Sequence, residues 1–416
     1  MLTTTPILYT PGSTGGRIPG ALRVLDITMF YAEASGGVRT YLAAKGRALA
    51  RRGVSHALVV PDRMDSISLE GESRVYRLRS PRVPTTPGYR LLVSPQAVER
   101  IIHEERPDII ELGSPFLVPF LVRWATRGRV RPPVVGFYHS DLVRTYAIPY
   151  LGRLGGRAEA LGVAAARRYV RSVYGRCDAT VAASTSVARE LRELGIPNVH
   201  QISLGVDLEL FTPERRSGAL REREGIPAGR PIGIFAGRMC PEKRLDVVLD
   251  AHARLGPGER PHLVLVGMGQ QQEALAARAA GDGFLTILPY QHDRERLAEL
   301  LADADFYLAA GPGETFGLAV AEAMAAGLGV LGVDSGAVPD RLEGSGAGEL
   351  YRNGDVADCA RAMANLGRQV GPELRHRARA HALVSFGWDN TFHLLLELYR
   401  SLTGAGRGAD VETVPG

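Results

Sequence analysis

The chain has 416 residues, 45% of them hydrophobic and 23% charged, which excludes disorder over most of its length. At about 150 residues per domain, two or three domains are expected. No apolar run reaches the ~18 residues of a membrane-spanning helix, and Pro6, Pro11 and several glycines interrupt the first 20 residues, so no secretory signal is expected.

Cys177, Cys240 and Cys359 lie too far apart for a metal-ligand or disulfide framework. A reducing cytoplasm is the expected setting. The net charge of +5 combines 48 Arg with only two Lys, Lys45 and Lys243. In a chain so biased toward Arg a retained Lys is informative, because a compact ammonium differs from a planar fork. The charge is uneven: between Arg123 and Arg176 eleven Arg stand against Asp141 and Glu159, a local +9. Such a stretch suits anionic lipid, nucleic acid or a phosphorylated substrate, or is a solvated helix face.

In chain order, a Pro/Gly/Thr-rich lead-in (1–20) is expected to be disordered. Strands are then predicted at 23–28, 56–60, 107–112, 133–138, 179–183 and 199–204. Between them, 37–52 reads as a helix with Tyr41, Leu42, Lys45, Ala48 and Leu49 at helical spacing. Further helices are predicted from Pro95, at 158–174, and at 184–195, with Ser184 or Thr185 as cap and Gly195 at the end. A Pro/Arg/Glu-rich connector at 213–230 precedes a second series, with strands at 232–236, 262–266, 284–288, 305–309 and 329–333. Strand–helix alternation predicts parallel sheets covered on both faces, and two series predict two such α/β domains, at 21–205 and 206–387. A last helix at 388–403 and a disordered tail at 404–416 complete the chain. Ligands of open α/β sheets bind at the carboxyl ends of the strands, so two facing domains place the site in the cleft between them.

Several chemistries are excluded by single residues. Ala44 precedes Lys45 and Glu242 precedes Lys243, so there is no P-loop. Gly267-Met268-Gly269 follows a strand, but Gln272 stands at the third glycine position of a dinucleotide fingerprint. His103-Glu104 lacks the second His of a zincin, since Pro107 occupies that place. No serine has glycine at both −2 and +2, as a nucleophile elbow requires.

The densest constellation runs from Gly313 to Met324 and carries Glu314 and Glu322, eight residues apart. If mostly helical, this spacing puts the carboxylates up to ~12 Å apart and offset by about 80°. That is too far for a shared-proton dyad, but it suits gripping hydroxyls at two ends of a polyol. The amides of Phe316, Gly317 and Leu318 would sit at a helix start, where anions bind. Arg238 and Lys243 follow the first strand of the second domain, on the same strand-end edge. Two cations beside a helix start are what a diphosphate leaving group requires. In the first domain, Ser35-Gly36-Gly37 precedes a helix and allows close backbone approach to a ligand. His139 ends a buried strand, where catalytic residues gather and where structural His also occur.

These four elements, in this order, resemble the retaining glycosyltransferases of family 4, over about residues 21–403. Gly237-Arg238-Met239-Cys240-Pro241-Glu242-Lys243-Arg244 is similar to the family's diphosphate loop. The stretch from Gly313 to Gly327 is similar to its signature of two Glu flanking Phe-Gly-Leu, and 202–213 to its interdomain Gly-Val-Asp segment. The resemblance implies a GT-B architecture: two Rossmann-like domains with a facing cleft, nucleotide sugar in the second, acceptor in the first, and a C-terminal helix crossing back. It implies that Arg238 and Lys243 neutralise the donor diphosphate, Glu314 holds donor-sugar hydroxyls and Glu322 the ribose. It places amides of Phe316, Gly317 and Leu318 on phosphate or sugar, His139 beside the anomeric carbon, and Gly36 and Gly37 beside the diphosphate. It implies neither metal nor other cofactor. The chain departs from the family's pattern at Ala310-Gly311, where Pro-Ser is frequent, and at Ser335-Gly336-Ala337, where Gly-Gly is frequent.

The expected activity is therefore transfer of a hexose, mannose from GDP-mannose being favoured over UDP-hexoses, to a lipid-linked or saccharide acceptor. The basic stretch Arg123–Arg176 suggests peripheral attachment to an anionic membrane, at the inner face of the cytoplasmic membrane. Nucleic acid is not an expected partner, since stacking aromatics are only 6% of the chain. The alternatives are another GT-B enzyme, an epimerase or a phosphorylase, and a non-catalytic sugar-nucleotide binder.

Overall fold

The computed structural model describes residues 21–31, 36–83, 88–128, 130–143 and 155–404. The lead-in 1–20, Ser35, the basic residues Arg129, Arg144 and Arg153, and 405–416 of the tail lie outside the described residues.

Two sheets form, one from each series. The first holds β1 (Arg23–Ile27), β2 (Ser55–Asp62), β3 (Ser66–Glu70), β4 (Ser73–Arg79), β5 (Ile109–Leu112), β6 (Val134–Phe137), β7 (Ala179–Ala182) and β8 (Val199–Gln201). Their spatial order is β3-β4-β2-β1-β5-β6-β7-β8. Only β3–β4 is antiparallel. The second holds β9 (Ile232–Arg238), β10 (His262–Met268), β11 (Leu285–Leu288), β12 (Phe306–Ala309), β13 (Gly329–Val333) and β14 (Gly348–Tyr351), in the order β11-β10-β9-β12-β13-β14. The central strands β1, β5, β12 and β13 are buried almost throughout because helices cover both faces. In each sheet the strand order reverses beside the first strand, between β1 and β5 and between β9 and β12. Those reversals open crevices at the strand ends.

The hairpin β3–β4 and the edge strand β14 are additions to the sequence expectation. The connector is also ordered: Arg216 pairs with Asp305 at 2.9 Å, and Asp303 accepts from the amides of Ser217, Gly218 and Leu220. It packs on the second lobe as a strap.

The last helix, Trp388–Thr403, crosses back to the first lobe as the family resemblance implies. Gly404, expected in the tail, caps it with a left-handed φ of 73°. Its Thr391 hydroxyl donates to the Ser203 carbonyl at 2.8 Å, and Phe392 stacks on Trp388 and lies 6.1 Å from Tyr41. Its Tyr399 hydroxyl donates to Glu111 on β5. Glu111 and Asp26 of β1 are buried carboxylates, and Lys45, fully buried, joins them at 3.1 and 2.8 Å. His56 also reaches Asp26, while its Nδ1 meets the Ser73 hydroxyl at 2.7 Å. Burial alone would raise Asp26, but Lys45 and His56 hold it below the usual carboxylate range. Glu111, where burial dominates, is pushed up to about 7.

Candidate active site

A cavity of about 750 Å³ lies between the lobes, at the strand-end edges of both sheets. On the second-lobe side, β9 continues beyond its predicted end to Arg238, held in register by Met268 of β10. The chain then turns through a short 3-10 helix, Pro241–Lys243, which carries Lys243 back over the cavity. Lys243 pairs with Glu314, and Arg238 approaches Glu242 at 3.3 Å. Burial works against the Lys243 charge, but the Glu314 carboxylate outweighs it and raises the ammonium above its ordinary value.

Four of the seven residues between Glu314 and Glu322 are helical, those from Leu318 onward. Gly317 takes a left-handed φ of 78° and the helix begins only at Leu318, running Leu318–Ala325. Glu314 therefore sits on a turn at the helix mouth and Glu322 inside the helix. The turn is buttressed from behind: the Glu314 carbonyl accepts from the Ala337 amide at 2.8 Å, and the Ser335 hydroxyl donates to the Pro312 carbonyl at 3.2 Å. This accounts for Gly336 in the departing triplet. Its φ is +63°, and a Cβ there would stand 2.7 Å from the Glu314 carbonyl oxygen. At the other departure, a Cβ on Gly311 would meet Lys243 Cδ at 3.3 Å and Glu314 Oε1 at 3.5 Å, so the small residue leaves room for that pair.

Glu322 lines the cavity but is only 4% exposed, and Arg294 clasps it at 2.6 Å. Burial raises Glu322 above the usual carboxylate range, with Arg294 opposing and Asp207 assisting. The Arg294 guanidinium lies over the Phe211 ring at 4.9 Å, in the segment that joins the lobes. Sequence reasoning missed Arg294. The signal was available, since it follows the Asp293 cap just after strand β11, on the same strand-end edge.

On the first-lobe side the cavity is lined by Gly37, Arg39, Thr40, Ala43 and Arg47 of the helix Gly36–Arg51. Gly37 lies opposite the signature helix, where a Cβ would come 3.7 Å from Leu318. Gly36 opens the helix, one residue earlier than predicted. The lobes also touch where the Thr315 hydroxyl donates to the His139 carbonyl at 2.8 Å and where the Ser186 hydroxyl donates to the Gly336 carbonyl at 2.9 Å.

Two predicted side chains do not border the cavity. Phe316 is 3% exposed and packs beneath the Arg341 guanidinium, 4.6 Å from its ring, so at most its backbone is available. The His139 imidazole is drawn into an aromatic stack, parallel to Phe137 at 4.1 Å and 5.1 Å from Tyr41. It lies beneath the cleft rather than in its wall. Burial pushes it down to about 3, so it is neutral, and among the described residues its Nε2 has no hydrogen-bond partner.

Part of the basic stretch is engaged within the chain, although exposed. Arg131 pairs with Asp178 at 2.6 Å and Arg176 donates to the Ser172 carbonyl at 2.8 Å. Arg157, Arg167, Arg168 and Arg171 are exposed on the helix Gly156–Tyr174, where Leu161 is 73% exposed. Among the described residues no helix is long and apolar enough to cross a membrane, and no cluster of acids, His or Cys is arranged to hold a metal ion.

Residues 35–210 match Glycosyltransferase Family 4, and residues 230–369 match Glycosyl transferases group 1. A GDP-mannose-dependent alpha-(1-6)-phosphatidylinositol dimannoside mannosyltransferase of Mycobacterium tuberculosis is 30% identical, over 94% of this chain and 99% of its own. The chain belongs to glycosyltransferase family 4. A GDP-mannose-dependent alpha-mannosyltransferase of Corynebacterium glutamicum is 27% identical over 77% of this family 4 chain and 73% of its own. Among solved structures, sucrose-phosphate synthase from Thermosynechococcus elongatus superposes with a TM-score of 0.74 at 20% identity, covering 92% of this chain and 100% of that one. The two parallel-sheet lobes are thus the GT-B fold, and this family 4 member is a glycosyltransferase.

Proposed function

We propose that this glycosyltransferase moves mannose from GDP-mannose to a glycolipid of the phosphatidylinositol class, with retention at the anomeric carbon. One observation carries the reading: Arg238, Lys243, Glu314 and Glu322 meet Gly37 of the opposite lobe in a single cavity. The likeness to a mannosyltransferase over 94% of the chain supports the donor and the acceptor class.

Charge builds on the diphosphate as it departs, and Arg238 and Lys243 are the groups that meet it. Lys243 exchanges Glu314 for phosphate, which frees Glu314 for hydroxyls of the sugar. Glu322 takes the ribose hydroxyls as Arg294 moves aside. Gly317 and Leu318 offer amides at a helix start to the developing negative charge. His139, neutral and buried beneath the cleft, bears on the site only through its carbonyl, which accepts from the Thr315 hydroxyl. The acceptor attacks on the side from which the diphosphate leaves. Positive charge comes from side chains, so turnover in EDTA is expected to equal turnover without it. Exposed Arg157, Arg167, Arg168 and Arg171, with Leu161, hold the acceptor lobe against an anionic leaflet.

Melting curves with GDP, UDP and ADP test the donor, because a ligand that binds only the folded state raises the midpoint by mass action. GDP is expected to give the largest shift, and a larger shift with UDP would replace the donor. Radiolabel from GDP-mannose should enter phosphatidylinositol dimannoside in anionic vesicles. Vesicle binding that survives neutralising those four arginines removes the membrane contact.

A further inference from the structure

The first-lobe wall of the cavity carries charge that donor chemistry leaves unused. The helix Gly36–Arg51 turns one exposed face to the cavity: Arg39, Ala43 and Arg47, at successive i,i+4 positions, with Thr40 beside them. Arg39 and Arg47 thus stand about two turns, ~12 Å, apart along the helix. Ala43 and Thr40 are small and leave a slot between the two long cations. Arg39 lies over the Tyr31 ring at 5.1 Å, which fixes its plane without neutralising it. The Tyr31 hydroxyl in turn donates to Glu70 at 2.8 Å. Glu70 is the acid on this wall, and its carboxylate is already taken by Arg77 as well as Tyr31. Arg47 is exposed and makes no ion pair among the described residues. On the opposite wall, by contrast, both Lys243 and Arg294 are partnered by cavity carboxylates.

We infer that Arg39 and Arg47 form a phosphate-reading slot for the acceptor, so that the enzyme selects an acceptor carrying a phosphate ester over the same glycan without it. This deepens the proposed function and rests on its assignment of the first lobe to the acceptor. A guanidinium offers paired N–H donors that match two phosphate oxygens, which a hydroxyl-only acceptor cannot use. The stacked Arg39 is preorganised, and the exposed Arg47 meets the ester from the far end of the slot. The second lobe has its own cations for the donor diphosphate, so the two phosphate groups need not compete for one site.

The test uses two water-soluble probes on the whole protein with saturating GDP: deacylated phosphatidylinositol dimannoside, and the same inositol dimannoside lacking the glycerophosphate. Wild type should bind the phosphorylated probe at least about 10-fold more tightly, the scale of one charge-assisted hydrogen bond. Arg39→Gln and Arg47→Gln should each remove much of that preference, and the double variant all of it. Affinity for the phosphate-free probe and for GDP should stay within about 2-fold of wild type, which shows that the variants are folded. In turnover, acceptor KM rises while donor KM holds. Equal binding of both probes by wild type overturns the inference. So does full discrimination in the double variant, or a parallel loss of GDP affinity, which assigns these cations to the donor. Failure of wild type to bind GDP sinks the donor reading alone. The probe pair is then titrated without nucleotide, where the same preference is expected.

Discussion

The chain's two lysines make a controlled comparison. Each pairs with a carboxylate, and each sits near the strand ends of its own lobe. Lys45 is sealed between Asp26 and Glu111, at 2.8 and 3.1 Å, with no exposed surface. Lys243 pairs with Glu314 at the cavity wall, where both side chains keep about a quarter of their surface, 24% and 27%. A sealed ammonium cannot change partners without unfolding its surroundings, so its worth is structural. An ammonium on a cavity wall can trade one carboxylate for an incoming phosphate, so its worth is chemical. On the proposed reading, the same kind of pair serves stability in one lobe and reaction in the other, and exposure decides which.

The comparison is broken most easily at the sealed site. Lys45→Met leaves two buried carboxylates facing each other, and removing one partner of a buried pair costs about 3–5 kcal/mol. Urea unfolding should show that loss, and a change below 1 kcal/mol would contradict a structural role. At the cavity wall, Lys243→Ala should lower kcat by about 100-fold or more. Its unfolding free energy should change by less than about 1 kcal/mol, because the pair is screened by solvent. A large stability loss with normal turnover would exchange the two roles. The smallest effect concerns Arg294, which opposes the upward push of burial on Glu322. On the proposed assignment of Glu322 to the ribose hydroxyls, it accepts them best when ionised, so donor KM is expected to rise as pH falls through its pKa. Arg294→Gln removes the opposing charge while Asp207 still repels, so this acid limb should move to higher pH. An unmoved limb would separate Arg294 from Glu322.

Much of this arrangement was readable beforehand, for a physical reason. Arg238 with Lys243, and Glu314 with Glu322, lie in two short contiguous segments at strand ends, so their convergence follows from topology. What failed depended on contacts between distant segments. Arg294 meets Glu322 across 28 residues; its place after the Asp293 cap at a strand end marked it for the cleft, but no local pattern names Glu322 as its partner. His139 was correctly placed at a strand end, but its ring direction is set by Phe137 and Tyr41, and no spacing rule conveys a stacking geometry. The hairpin β3–β4 was missed because Ser73–Arg79 carries three arginines and reads as polar, although Val75, Tyr76 and Leu78 are buried. The role of Lys45 was hidden because a lysine at a helical core position looks like an error in the pattern until Asp26 and Glu111 are seen around it.

The bond from Tyr399 to Glu111 has a temporal consequence. It joins residues 288 apart in the chain. At a ribosome's pace of roughly 5–20 residues per second, Glu111 emerges on the order of 15–60 s before its partner. During that interval the nascent first lobe holds an acid with only the nearer of its two tyrosine hydroxyls, that of Tyr41, and a hydrophobic face awaiting Phe392. The first lobe is therefore completed only after the residues of the second lobe have been made.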